Sequence, residues 1–387
     1  MIKSFSRRIL GAIDRRRWHR NAPIYLISAA GQPNFGDEFI TRSWLDWLAE
    51  HQPRREVWLD CIEPGRAAHL FRDTHPGLRT TNTLWQVAHT NARQNVEEAA
   101  ERVENLVLGL GSPKMDFGLR DLRTMGSLHL LGGGYVNSIW SNNLSIVAAM
   151  TAVRRRFGVR IYATGQGLLP HDGDSLQWMK GQLRQFDYAE ARDTGSARVF
   201  DIRKGSDDAF LAFANRRAIY APREIAKEAM LLVQGDMPDS SNVDDLAVLV
   251  DEFVQSAKGA QHVGFVEGIP PEDSKFAQRY VEAGATFLPF MRIWDEGFPA
   301  FPGQEWLTSR FHFHLLAAAA GARGSVVSIR PGYYDVKHEL LLELGTGWQM
   351  QGSDDALREG TLNVDFPARA RRLGVEKSQL AGRLYRR

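Results

Sequence analysis

The chain has 387 residues, 43% of them hydrophobic and 24% charged, with a net charge of +2. That length buries a substantial core over about two domains without staples, and Cys61 as its one cysteine excludes a disulfide framework or a Cys-rich zinc module. No apolar run approaches the ~20 residues of a membrane span and the first residues lack a secretory signal, so a soluble, cytoplasmic protein is expected.

Residues 1–21 read as a basic amphipathic arm. Lys3, Arg7, Arg8, Arg15, Arg16, Arg17 and Arg20 face Asp14 alone, and Ile2, Phe5, Ile9, Ile13 and Trp18 fall near helical spacing. Such an arm lies on an anionic membrane surface, or is solvated, or docks on the body. Nucleic acid is not an expected partner, because no binding motif accompanies the charge. Ile24–Ala29 then reads as a strand, followed by a helix through Phe39, Ile40, Trp44, Leu45 and Leu48 and a strand at Glu56–Cys61. Leu106–Leu110 and Leu128–Leu131 are short apolar runs that end in glycine. Leu144–Phe157 reads as helix, Arg160–Thr164 as strand, Ser175–Phe186 as helix and Tyr188–Ala191 as strand.

These elements make an N-terminal domain over 22–200. Residues 201–226 mix charge with Gly205 and Pro222 and read as a linker. A second series spans 227–345: strand Ala229–Val233, helix Val243–Ala257, strand His262–Val266, helix Ser274–Gly284 and strand Ala285–Leu288. It ends with helix Ser309–Ala320, strand Ser325–Ile329 and helix Tyr334–Leu344. Residues 346–387 read as a basic extension, in which seven Lys/Arg face Glu376 alone from 369 onward. The alternation predicts an α/β protein of two Rossmann-like domains with a central cleft, where strand carboxyl ends bind ligands.

Several segments lie where such strands end. In Asn34-Phe35-Gly36-Asp37-Glu38, Gly36 allows close backbone approach and a helix N-terminus faces an anion; turn and cap chemistry explains the same residues. Gly132-Gly133-Gly134 and Gly165-Gln166-Gly167 follow strands, yet glycine turns are common in α/β folds, and the first is not a dinucleotide fingerprint. Arg192, in Ala191-Arg192-Asp193-Thr194-Gly195-Ser196, suits bidentate binding of phosphate or carboxylate, with Asp193 as a cap. Thr308-Ser309-Arg310-Phe311-His312-Phe313-His314 opens a helix whose Arg310 and His312 suit an anion and proton transfer. One of His312 and His314 is expected in the core, and no third ligand with metal spacing follows them.

In their order along the chain these segments resemble the polysaccharide pyruvyl transferase family. Arg310 and His312 with Gly321 resemble its S/T-x-R-x-H helix, Tyr334-Asp335-Val336-Lys337 sits where it often carries Tyr and Lys, and Asp207-Asp208-Ala209-Phe210 resembles its D-P-A-F turn with the proline lost. The chain departs from the family at Tyr135-Val136-Asn137-Ser138 after the glycine turn and at Leu169-Pro170.

The resemblance implies a GT-B-like fold and transfer of the pyruvyl group of phosphoenolpyruvate onto two hydroxyls of a glycan or glycolipid sugar, forming a ketal in cell-envelope polysaccharide or glycolipid synthesis. On that reading Arg192, Arg310 and Lys337 bind the donor, His312 is the general acid and Asp37 the base. Asn34, Gly36 and the two glycine turns with Gln166 line the site. No cofactor or metal is required. A lipid-linked acceptor would place the enzyme at the inner face of the cell membrane. The competing readings are a nucleotide-sugar glycosyltransferase on the same scaffold and a non-catalytic glycan-binding descendant.

Overall fold

A computed structural model of the chain describes residues 22–90, 95–234, 243–275, 277–329 and 334–385. The expected basic arm, 1–21, lies outside the described residues. The chain divides into two units. Unit 1 takes residues through Gln32, then Ile40–Asp208 and Gln379 onward; unit 2 takes Pro33–Phe39 and Ala209–Ser378.

Unit 1 is built on a parallel sheet of β1 (Ile24–Ile27), β2 (Val57–Asp60), β3 (Leu78–Thr81), β4 (Ser127–Leu130), β5 (Arg160–Gln166), β6 (Tyr188–Ala191) and β7 (Arg203–Lys204), in the order β3-β2-β1-β4-β5-β6-β7. β1 and β4 are buried at every residue, as central parallel strands covered on both faces must be. Ile27 stands opposite both Asp60 and Leu130, so β1, β2 and β4 end in line. The order reverses between β1 and β4, the switch point where such sheets bind ligands. The run Leu106–Leu110 is not a strand: it closes the helix Val96–Gly109, which Asn95 caps by accepting hydrogen bonds from the N–H groups of Glu97 and Glu98.

Unit 2 repeats the plan with β8 (Ala229–Leu232), β9 (Val263–Val266), β10 (Thr286–Leu288), β11 (Glu305–Thr308), β12 (Arg323–Ser328) and β13 (Gln349–Gly352), in the order β10-β9-β8-β11-β12-β13. Its switch point lies between β8 and β11. The helices include α1 (Phe35–His51), α2 (Phe311–Ala319), α3 (Tyr334–Glu343) and α4 (Phe366–Tyr385).

Several expectations differ from this arrangement. Residues 201–226 are not a spacer: β7 completes the first sheet, Asp207 and Asp208 are fully buried, and Phe210 and Leu211 enter the interior of unit 2. Residues 346–387 are not an appendage either. β13 extends the second sheet, and α4 buries Phe366, Ala370, Leu380, Ala381, Leu384 and Tyr385. Those residues form a helical apolar stripe that the arginines between them disguised. The helix expected over Ser274–Gly284 is instead a 3-10 turn at Glu272–Ser274 followed by a short helix, Gln278–Glu282. The helix expected from Ser309 starts two residues later, at Phe311.

Candidate functional site

In unit 2 the site forms where β11 ends beside β8. The Ser309 N–H donates to the Leu232 carbonyl (3.0 Å), and the Gln234 N–H donates to Ser309 Oγ (2.9 Å). These bonds fix the turn that delivers Arg310, which is still extended (φ −100°, ψ 129°) at the N-cap of α2. His312 falls in the first turn of that helix.

α1 begins in the same unit. Its first residue, Phe35, is 3% exposed and donates its N–H to the Gly268 carbonyl (2.9 Å). The Phe35 ring packs among Phe39, Phe290, Trp294, Phe298 and Phe313, which explains why residues 33–39 belong to unit 2. Asn34 caps the helix, its Oδ1 accepting from the Gly36 N–H (3.2 Å) while its Nδ2 donates to Asp37 Oδ2 (2.8 Å). Gly36 is obligatory for a steric reason: a Cβ there would fall inside the His312 imidazole. The first turns of α1 and α2 are therefore in contact, and both present helix N-termini with their partial positive charge.

Arg310 does not stand alone. Its Nε and Nη2 donate to Asp273 Oδ2 (2.8 Å) and Oδ1 (2.6 Å), a bidentate pair in which the carboxylate side chain is fully buried and the arginine side chain 12% exposed. Behind it lies a chain of buried histidines. His338 Nε2 meets the Ser309 carbonyl (3.1 Å), the Nδ1 atoms of His338 and His314 face each other (3.3 Å), and His314 Nε2 meets Thr346 Oγ1 (3.0 Å). A carbonyl only accepts, so His338 carries a proton on Nε2. Burial disfavours the charged form of both rings, and with both neutral His314 donates from Nδ1 and the Thr346 hydroxyl donates to His314. Burial pushes His338 down to about 4, helped by the charge of Lys337 and opposed by the Ser309 carbonyl and Asp335; burial and His338 hold His314 well below the ordinary histidine value. His314 is the core histidine of the pair, stacked on Trp348. Lys337 is half-buried on α3, next to His338.

In unit 1 the glycine turns close around a buried aspartate. Asp208 Oδ2 accepts from Trp44 Nε1 (2.9 Å), the Gly132 N–H (2.9 Å) and Thr164 Oγ1 (2.7 Å). Gly165 has φ +58°, and a Cβ on it would sit 2.7 Å from Asp208 Oδ1. Gly132 likewise abuts Asp208, and Gly167 abuts the Arg192 guanidinium. These three glycines make room for protein side chains, where sequence suggested room for a ligand. The Gly167 N–H donates to the Gly133 carbonyl (2.9 Å), and the Gln166 amide donates to the carbonyls of Leu131 (2.8 Å) and Thr164 (2.9 Å). The Gly134 carbonyl accepts from Asn137 Nδ2 (3.0 Å). Arg192 is 4% exposed and pairs through Nη1 with Asp207 Oδ2 (2.8 Å).

Asn34, Gly36, Asp37, Arg310 and His312 therefore come together in unit 2, with Lys337 on the helix that supports the Ser309 turn. Gly132, Gly133, Gly134, Gly165, Gln166, Gly167 and Arg192 come together in unit 1. Sequence reasoning missed Asp273, His338 and Thr164, and it read Asp207-Asp208 only as a turn. The site and core residues they pair with lie 15 to 164 residues away, beyond any local spacing signal. Among the described residues no group of three or more His, Cys, Asp or Glu is arranged to hold a metal, and no helix is long and apolar enough to cross a membrane.

Comparison with known proteins sets this geometry in context. The family model for polysaccharide pyruvyl transferase matches residues 34–261, more than half of the chain. No curated protein matches the sequence. Among solved structures, a protein described as a candidate UDP-N-acetylglucosamine 2-epimerase from Listeria monocytogenes aligns with a TM-score of 0.50 at 10% identity, covering 93% of this chain and 88% of that one. The UDP complex of MnaA from S. aureus gives 0.49 at 12% identity, covering 94% and 90%. The UDP-GlcNAc 2-epimerase of Neisseria meningitidis bound to UDP-GlcNAc gives 0.48 at 10%, covering 94% and 98%. At such identity the likeness is one of fold, that of a two-domain, Rossmann-like GT-B protein.

Proposed function

We propose that this chain, which belongs to the polysaccharide pyruvyl transferase family, moves the pyruvyl group of phosphoenolpyruvate onto two hydroxyls of a glycan or glycolipid sugar. The observation that carries the proposal is the contact of Gly36 with His312, which brings two helix N-termini and an imidazole together in unit 2, with Arg310 at the N-cap of the same helix. Two helix N-termini with an arginine favour a substrate bearing a carboxylate and a phosphate.

In the proposed reaction His312 delivers a proton to the methylene carbon of the donor. The neighbouring C2 becomes electron-poor, one sugar hydroxyl attacks it, and that hydroxyl's proton passes to Asp37. The C2–O bond to phosphate then breaks and inorganic phosphate leaves with its electron pair. The second hydroxyl closes the ketal and releases its proton. Arg310 orients the donor and offsets charge on the departing phosphate, with Lys337 as a further donor-binding residue of the same unit. Asn34 holds the sugar.

The test is incubation with phosphoenolpyruvate and a panel of oligosaccharides and lipid-linked sugars. The proposal expects inorganic phosphate release together with a product heavier by one pyruvate less one water. Glycosyl transfer from a nucleotide sugar, with no ketal formed, would contradict it.

A further inference from the structure

We propose that Asp273 is the positioning residue for Arg310, an inference that rests on reading Arg310 as a donor-binding residue. An arginine at a helix N-cap carries a long, rotamer-rich side chain, and an unheld guanidinium would be a diffuse anion binder. Here the fork is fixed by two hydrogen bonds from Nε and Nη2 to one carboxylate. That carboxylate is itself immobile, since Asp273 Oδ2 accepts from the backbone N–H groups of Gly268 (3.0 Å) and Ile269 (2.8 Å).

The same short segment does a second job. The Gly268 carbonyl accepts the Phe35 N–H and so locks the first turn of α1, with its Asn34, Gly36 and Asp37. A Cβ on Gly268 would lie 3.0 Å from the Phe313 ring and 3.1 Å from both Arg310 Cδ and Asp273 Oδ2. Residues 267–273, outside every motif that marks the family resemblance, thus set both the aim of Arg310 and the start of α1.

A buried ion pair can also be merely structural, so the test must separate the two roles. The affinity of the full chain for phosphoenolpyruvate is measured by calorimetry for the wild type, Asp273→Asn, Arg310→Lys and the double variant. The proposal expects Asp273→Asn to weaken binding about tenfold alone and by less than about twofold in the Arg310→Lys background, where no fork remains to be aimed. Equal losses in both backgrounds, or no loss in either, would overturn it. A second readout needs no donor: the rate at which phenylglyoxal modifies Arg310, followed by peptide mass spectrometry, should rise several-fold in Asp273→Asn. An unchanged rate overturns the holding role. If Asp273→Asn does not fold, Asp273→Glu, with its carboxylate one methylene further out, carries the same readings. A wild type that binds no phosphoenolpyruvate overturns the donor reading, while the phenylglyoxal rate still decides whether Asp273 holds Arg310.

Discussion

The backbone of Gly36 lies against the imidazole of His312, so closely that no side chain fits between them. The helix carrying Gly36 and the helix carrying His312 are separated by more than 250 residues of sequence, yet their first turns share one surface. Gly36→Ala is expected to displace His312 and lower donor-dependent turnover by about tenfold or more, while overpacking costs about 1–3 kcal/mol of stability. Turnover and urea denaturation measured together check this. His312→Ala should remove most of the stability penalty of Gly36→Ala, since the three atoms nearest the added methyl all belong to that ring.

Asp208 stands where the family pattern has proline, and it accepts from Trp44, Gly132 and Thr164. Asp208→Pro, although closer to the family pattern, should therefore destabilise the protein as Asp208→Ala does. Leaving buried donors without an acceptor costs roughly 1–3 kcal/mol for each such group. Denaturant midpoints for the two variants test this, and a Pro variant as stable as the wild type would contradict it.

Mild acid should act in opposite directions on the two units. In unit 2, His338 is pushed down to about 4 from 6.5. Between those values the unfolded chain takes up a proton that the folded protein refuses, so this group's contribution is present above pH 6.5 and is lost as pH falls towards 4. In unit 1, burial pushes Asp60 up to about 7 from 3.8, against the hydrogen bonds it accepts from Tyr25 and the Leu84 N–H. Between those values the folded protein keeps a proton that the unfolded chain has released, so the Asp60 contribution is present below pH 3.8 and is lost as pH rises towards 7. Each shift corresponds to roughly 3–5 kcal/mol at its full extent. His338→Gln should flatten the acid-side loss of stability between pH 7 and 4, and Asp60→Asn should remove the opposing gain. Stability–pH profiles of the two variants with slopes changed in the same direction would contradict the assignment.

The basic residues 1–20 are proposed to bring the enzyme to an anionic leaflet, as a lipid-linked acceptor would require. Deleting them should weaken co-sedimentation with phosphatidylglycerol vesicles and leave binding to neutral vesicles unchanged. Equal sedimentation of both forms on anionic vesicles would contradict a membrane role for the arm.

The two-sheet plan was legible because buried parallel strands such as Ile24–Ile27 and Ala229–Leu232 are short, continuous apolar runs. β11 was not, since Glu305-Trp306-Leu307-Thr308 mixes polar and apolar residues beside Phe301-Pro302-Gly303. α4 was hidden by its own arginines. At the site, sequence located Gly36, Arg310 and His312 but could not show that Gly36 faces His312. The glycines after β4 and β5 were visible too, while their reason, the carboxylate of Asp208, was not. Tyr385 illustrates the limit: its hydroxyl donates to His129 Nδ1 (2.6 Å) across 256 residues, and His129 Nε2 in turn meets Thr164 Oγ1 (2.9 Å). A contact of that sequence separation leaves no periodic trace.

The most direct measurement is thermal unfolding of the full chain with phosphoenolpyruvate and, separately, with nucleotide diphosphate sugars. A donor present at about 100 times its dissociation constant adds about 2.7 kcal/mol of stability, enough to raise the midpoint clearly. The account predicts a rise with phosphoenolpyruvate that disappears in Arg310→Ala. A rise with a nucleotide sugar and none with phosphoenolpyruvate would contradict it.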